Sequence, residues 1–164
     1  MSNSFVAGQR LAASRIPGQR LWTVSSTSAT AAIGATETVV ITSPSSTYVA
    51  GGAYTLKFHG MLRPSAATAA SAGIQIRDTN ASGTVRMLIR QFATPAVVAN
   101  YDAYFEWTVA NTTGSDITGR VLVLTLTGTA APTYQINAGS PNAPYYLACE
   151  YSGLQTDFSE AVAL

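Results

Sequence analysis

The stretch that most constrains the fold is Gly73 to Phe92, GIQIRDTNASGTVRMLIRQF. Two apolar runs, Ile74–Ile76 and Val85–Ile89, flank a polar hexapeptide, Asp78–Gly83. Ile74 and Ile76 share one face, and Gln75 and Arg77 take the other, which is the period-2 alternation of a half-buried strand. Asp, Asn, Ser and Gly in the connector close local turns or tolerate positive φ. The pattern predicts a β-hairpin. A lone hairpin is marginal in water, so other strands must cover it.

The rest of the chain supplies them. Leu21–Ser25 and the β-branched run Thr36–Thr42 read as the first two strands. After the Gly51-Gly52 turn, Tyr54–Leu62 alternates, with Tyr54, Leu56 and Phe58 on one face and Thr55, Lys57 and His59 on the other. Ala103–Val109 repeats the pattern: Ala103, Phe105, Trp107 and Val109 inward, Tyr104, Glu106 and Thr108 outward. Arg120–Thr127 is the most apolar segment, as expected of a strand central in its sheet. Thr133–Ile136 and Tyr145–Tyr151 complete the set. Turn residues separate these strands, and no long amphipathic helix is present. The expected fold is all-β, an antiparallel sandwich. The Cys and Trp pair of an immunoglobulin domain is missing, which favours a jelly-roll-like arrangement.

Residues 1–20 read as an extended N-terminal arm, 21–151 as the sandwich domain, and 152–164 as a C-terminal tail with a short helix at Phe158–Leu164. The tetrapeptide GQRL occurs at Gly8–Leu11 and again at Gly18–Leu21, with Pro17-Gly18 breaking any helix between them. The repeat reads either as chance or as two equivalent anchoring contacts, with Arg to a carboxylate or carbonyl and Leu in a hollow. The candidate partner-binding residues are therefore Arg10, Leu11, Arg15, Arg20, Leu21 and Trp22.

Charge sharpens this reading. Only 10% of the residues are charged, against the usual ~25% of a soluble domain. So sparse a surface suits a protein packed against neighbours better than a mobile monomer. The net charge of +1 supplies no global field for nucleic acid or an anionic membrane. The ends differ, however. Arg10, Arg15 and Arg20 are the only charges before Glu37, whereas Glu150, Asp157 and Glu160 are the only ones from 150 onward. Both ends read as solvated tails, or else the arm of one subunit meets an acidic surface on a neighbour.

Reactive chemistry is scarce. His59 is the sole histidine and falls on the polar face of its strand. No G-x-S-x-G elbow accompanies it, so no Ser-His-Asp triad is read. One His and one isolated Cys, Cys149, do not make a zinc site. Asp102 and Glu106 share a strand face about 13 Å apart, long for a glycosidase pair. No cofactor, metal or catalytic residue is expected, and the chain reads as a non-enzyme. The N-terminus lacks the features of a signal peptide, and no run reaches the ~18 apolar residues of a membrane span. Asn80-Ala-Ser and Asn111-Thr-Thr match the glycosylation triplet, which carries no meaning without secretion. Tyr101, Tyr104, Trp107, Tyr134, Tyr145, Tyr146 and Tyr151 are expected to divide between the core and subunit contacts. A sugar-stacking platform, as in a carbohydrate-binding module, is the alternative.

Three stretches together resemble a known group. FVAGQRLAASRI resembles the F-x-A-G-Q-x-L-T-A start of many virion proteins of tailed phages infecting actinobacteria. IRDTNASGT resembles the R-D-x-x-x-S-G-T hairpin in the β-sandwich domains of those proteins. YYLACEYSGL resembles their closing strand, Y-L-x-V-E-D-x-G, with Tyr151 and Ser152 replacing the acidic residue and its neighbour. The resemblance implies a structural protein of the phage particle, made in the host cytoplasm and carried on the virion. Of two such roles, a head decoration (cement) protein, usually a homotrimer seated on the major capsid protein, suits a compact domain with a short arm. A minor tail or fibre protein, which normally adds a long stalk, is the other.

Overall fold

The computed structural model describes residues 17–87, 90–137 and 144–164. Among these residues it is built of strands with one 3₁₀ turn, Gln155–Asp157. In chain order the strands are β1 (Gln19–Ser26), β2 (Thr38–Thr42), β3 (Ser46–Tyr48), β4 (Gly52–Pro64), β5 (Ala70–Asp78) and β6 (Arg90–Thr94). They continue with β7 (Tyr101–Ala110), β8 (Ile117–Arg120), β9 (Leu122–Thr127), β10 (Tyr134–Asn137), β11 (Tyr145–Leu154) and β12 (Val162–Ala163).

The pairing is nested. β1 pairs β11, β2 pairs β9, β3 pairs β8, β4 pairs β7 and β5 pairs β6, all antiparallel. The chain is thus one long hairpin that has been rolled up. Rolling adds the contacts β11–β4 and β9–β5. It creates two sheets, ordered β1-β11-β4-β7-β12 and β2-β9-β5-β6, with β10 extending the first beside the end of β4. The eight longer strands taken in order lie 1-8-3-6 in one sheet and 2-7-4-5 in the other, the strand order of a jelly roll.

The alternation read from the sequence sets the register. Along β4, Tyr54, Leu56, Phe58 and Leu62 are fully buried, while Thr55, Lys57, His59 and Met61 are partly exposed. Facing them are Ile74, Ile76, Leu124 and Leu126 from the second sheet, all fully buried. Each such side chain contributes roughly 1.5–3 kcal/mol by leaving water. β9 is buried at five consecutive positions, Leu122 to Leu126. It lies between β2 and β5, central as its composition predicted.

Several polar groups in the core find partners. Trp22 Nε1 donates to Tyr48 Oη at 3.3 Å, and Val49 N donates to Tyr54 Oη at 2.6 Å. Burial raises the Tyr54 hydroxyl to about 12 and pushes the Tyr48 hydroxyl and Cys149 thiol further up. Asn111 is fully buried, and its amide donates to Tyr48 O and Ser115 O. Its glycosylation triplet is consumed by structure.

Four expectations are corrected. Gln19 and Arg20 already belong to β1, and Gly18 N donates to Tyr151 O at 2.7 Å, so the domain begins ahead of residue 21. Arg120 and Leu122 lie in different strands, because the chain switches sheets between them. The hairpin returns, but Val85 makes only an isolated bridge to Arg77, and the regular strand begins at Arg90. Arg86 N still donates to Ile76 O at 2.9 Å, while its side chain pairs with Asp78. Finally, 152–164 is no tail. β11 runs to Leu154, no helix forms at Phe158–Leu164, and β12 lies parallel to β7 with Val162 opposite Val109.

Candidate functional site

The rolled hairpin leaves the outer face of the β1-β11-β4-β7 sheet uncovered among the described residues, and the sequence has loaded that face unevenly. Cross-strand register aligns Ser25, Tyr146, His59 and Tyr104 in one row. The His59 ring centroid lies 6.0 Å from that of Tyr146 and 6.4 Å from that of Tyr104. Three rings therefore stand side by side across three strands. Tyr104 is 53% exposed, the highest value for any aromatic side chain among the exposed large hydrophobics.

Charges frame the row. On one side, Lys57 Nζ donates to Glu150 Oε2 at 2.7 Å, and Arg20 Nη2 reaches Glu150 Oε1 at 3.3 Å. The Lys57 hydrogen bond, then that of Arg20, hold the Glu150 carboxyl below its ordinary range despite partial burial. The same hydrogen bond raises Lys57. On the other side, His59 Nε2 lies 2.9 Å from Asp102 Oδ1; back on the Lys57 side, where Glu106 stands opposite Lys57, Tyr104 Oη donates to Glu106 Oε2 at 2.8 Å. The tyrosine hydroxyl is raised by that bond.

The face offers stacking surfaces and polar rims. Among the described residues no group of three or more His, Cys, Asp or Glu could hold a metal ion. The His59 side chain pairs with Asp102, and Ser25, in the same row, stands on the far side of Tyr146.

Of the six candidate contact residues, Arg10, Leu11 and Arg15 lie outside the described residues. Arg20 is on the outer face with its guanidinium on Glu150. Leu21 sits in an irregularity of the β1–β11 ladder and packs partly against the core. Trp22 points inward and is 6% exposed. It belongs to the core and offers no surface to a partner. Alternation along β1 would have placed Trp22 correctly had the bulge between Arg20 and Trp22 been visible.

The aromatic side chains divide between interior and surface. Tyr134, Tyr145 and Tyr151 are buried, whereas Tyr104 is exposed and Tyr101, Trp107 and Tyr146 are intermediate. What sequence reasoning missed is the row itself. Tyr104, His59 and Tyr146 come from three strands, and their meeting depends on a register no single strand specifies.

A second polar centre, on the other sheet, is structural. Glu37 accepts from Arg77, Gln75 and Thr125. Burial by itself would raise the Glu37 carboxyl, but these hydrogen bonds outweigh it and hold the carboxyl low. Asp78 accepts from both Arg86 and Arg120. The Arg-Asp pair of the hairpin thus fastens the turn to its surroundings.

Comparison with protein-family models and with curated proteins gives no match.

Proposed function

We propose that this chain is a structural protein of a phage particle, most specifically a head decoration protein that binds the major capsid protein as an oligomer, usually a trimer in the group it resembles. The observation that carries this reading is the jelly-roll strand order, an architecture used by viral capsid and lectin domains. Three further features support it. The sequence resembles actinobacterial phage virion proteins at its start, its hairpin and its closing strand. Charged residues are scarce. The outer face presents Tyr104, His59 and Tyr146 in one row, and tyrosine is enriched where proteins meet.

A carbohydrate-binding module is the second reading, favoured by the same row of rings. Its test is a glycan-array screen, in which binding lost on Tyr104→Ala would support it.

The test of the main reading is occupancy. Purified protein added to heads lacking it should bind, and a truncation of residues 1–16 should fold normally but occupy heads poorly. Normal occupancy by the truncated protein would remove the arm from the interface. Mass spectrometry of separated heads and tails decides between decoration and a minor tail role.

A further inference from the structure

We propose that the first GQRL copy, Gly8–Leu11, of one molecule adds as a short strand to the open edge of β7 on a neighbouring copy, with Arg10 answering Asp157 and Glu160. This rests on the reading that copies of the chain work packed together.

The second GQRL copy shows what the motif does. Gly18 N donates to Tyr151 O, Arg20 meets the carboxylate of Glu150, and Leu21 packs partly against the core. The motif therefore extends a sheet by backbone pairing while its arginine finds an acidic side chain. The first copy, with the same four residues, needs an equivalent place.

β7 offers one. Its inner side pairs with β4 over its whole length, Tyr101 to Ala110. Its outer side pairs with β12 only at Val109 and Ala110. From Tyr101 to Thr108 the strand edge has no backbone partner among the described residues. An unpaired edge is a template for another strand, and peptide segments are commonly bound by adding to one.

The edge also has a built hollow. Where the chain departs from β7 before β12, a cavity of about 480 Å³ opens, lined by Trp107, Phe158, Asp157 and Glu160 among others. Trp107 and Phe158 supply apolar walls that suit Leu11. Of the eight carboxylates in the chain, Asp157 and Glu160 alone have no ion pair or side-chain hydrogen bond to the described residues. Arg10 and Arg15 supply the opposite charge. The eight residues from Arg10 to Gly18 span up to roughly 27 Å when extended, enough to cross to an abutting molecule. A contact of arm to edge is head-to-tail, and such contacts close into rings when the rotation permits.

The experiment is a cysteine cross-link in the full chain. Leu11→Cys is combined with Val162→Cys, since Val162 lines the hollow and is 37% exposed. Cys149 is fully buried and does not compete. Mild oxidation should give covalent dimers and larger species that need both cysteines. An intramolecular link, or the same products from either single variant, overturns the proposal. Sedimentation supplies the second readout, usable even if the double variant misfolds. Arg10→Glu should weaken self-association about tenfold or more, and adding Asp157→Lys with Glu160→Lys should restore it. No weakening overturns the proposal. Cross-linking by a protein that is absent from phage heads would leave this inference standing and end the decoration reading; head occupancy without the cross-link would do the reverse.

Discussion

Lys57 and Glu150 meet diagonally across the β4–β11 ladder, Nζ to Oε2 at 2.7 Å, although the residue directly opposite Lys57 is Ala148. Diagonal pairs of this kind lie within reach of long side chains. The Lys57 ammonium is 30% exposed and the Glu150 carboxylate 16%, so solvent screens the pair only in part.

The pair makes stability depend on pH at both ends. Glu150 titrates lower folded than unfolded, so its contribution is present above the unfolded carboxylate value near ~4.3 and is lost as pH falls through the folded value. Lys57 titrates higher folded than unfolded. Its contribution is present below ~10.4 and is lost as pH rises through the folded value. Glu150→Gln should cost about 1 kcal/mol at neutral pH. Urea unfolding at neutral pH and at pH about 3 checks it: the deficit should shrink toward zero in acid, where the wild-type carboxylate is protonated too.

Asp78 is more deeply committed. It accepts from Arg86 and Arg120, and all three side chains are about one-fifth exposed. Arg86 also donates to Ala163 O, tying the turn to the chain's end. Removing the carboxylate strands two partly buried guanidinium groups. Asp78→Ala should therefore destabilise by about 3 kcal/mol, measured as a lower urea midpoint. A loss within ~0.5 kcal/mol would mean the triad is solvent-compensated.

Where the sequence was legible, it was legible strand by strand. Alternation along Tyr54–Leu62 and Ala103–Val109 assigned inward and outward residues as they stand in the structure. The apolar run from Leu122 placed β9 inside its sheet. What escaped depends on long-range pairing. β12 is two residues long and pairs parallel with a strand some fifty positions earlier, so no local pattern announces it. Val85 reads as a strand, yet it makes an isolated bridge to Arg77, and the regular pairing with β5 is that of Arg90–Thr94. The row of Tyr104, His59 and Tyr146 needs the offsets of three strands at once. Sequence gives faces; register gives neighbours.

Trp22 separates a core role from a contact role. Its indole is buried and donates to Tyr48 Oη. Trp22→Ala should cost about 3–5 kcal/mol, through a cavity and the loss of the indole donor to the Tyr48 hydroxyl. Thermal melts of the purified variant would show this directly. An unchanged melt would return Trp22 to the surface.

The glycine that closes the hairpin is tested by adding one methyl. A Cβ on Gly83 would fall 1.6 Å from Asp78 O, with Asp78 C and Asn80 O also close. All three atoms are backbone, and Gly83 N already donates to Asn80 O at 3.0 Å, so nothing flexible can yield. Gly83→Ala should destabilise by more than about 2 kcal/mol. It should also raise amide exchange in residues 78–84 before the rest of the domain, because the turn opens as a unit. Uniform exchange would show that the turn is not locally separable.

The outer-face row makes the sharpest division between folding and function. Tyr104 is half exposed, and its polar contact is with Glu106 on the same strand. His59 contacts Asp102 and the two flanking rings, all on the solvent side. Replacing such side chains removes little buried area, so Tyr104→Ala with His59→Ala should change stability by less than about 1 kcal/mol. If this row is where the protein meets another, the same double change should weaken binding at least tenfold, since a stacked aromatic at an interface centre commonly contributes 2 kcal/mol or more. Head occupancy by the variant and its retention on glycan columns are the two measurements. Loss of occupancy alone ties the row to the capsid, and loss of glycan binding alone ties it to sugars. Wild-type behaviour in both would leave the rings as surface decoration and move the interface to the edge of β7.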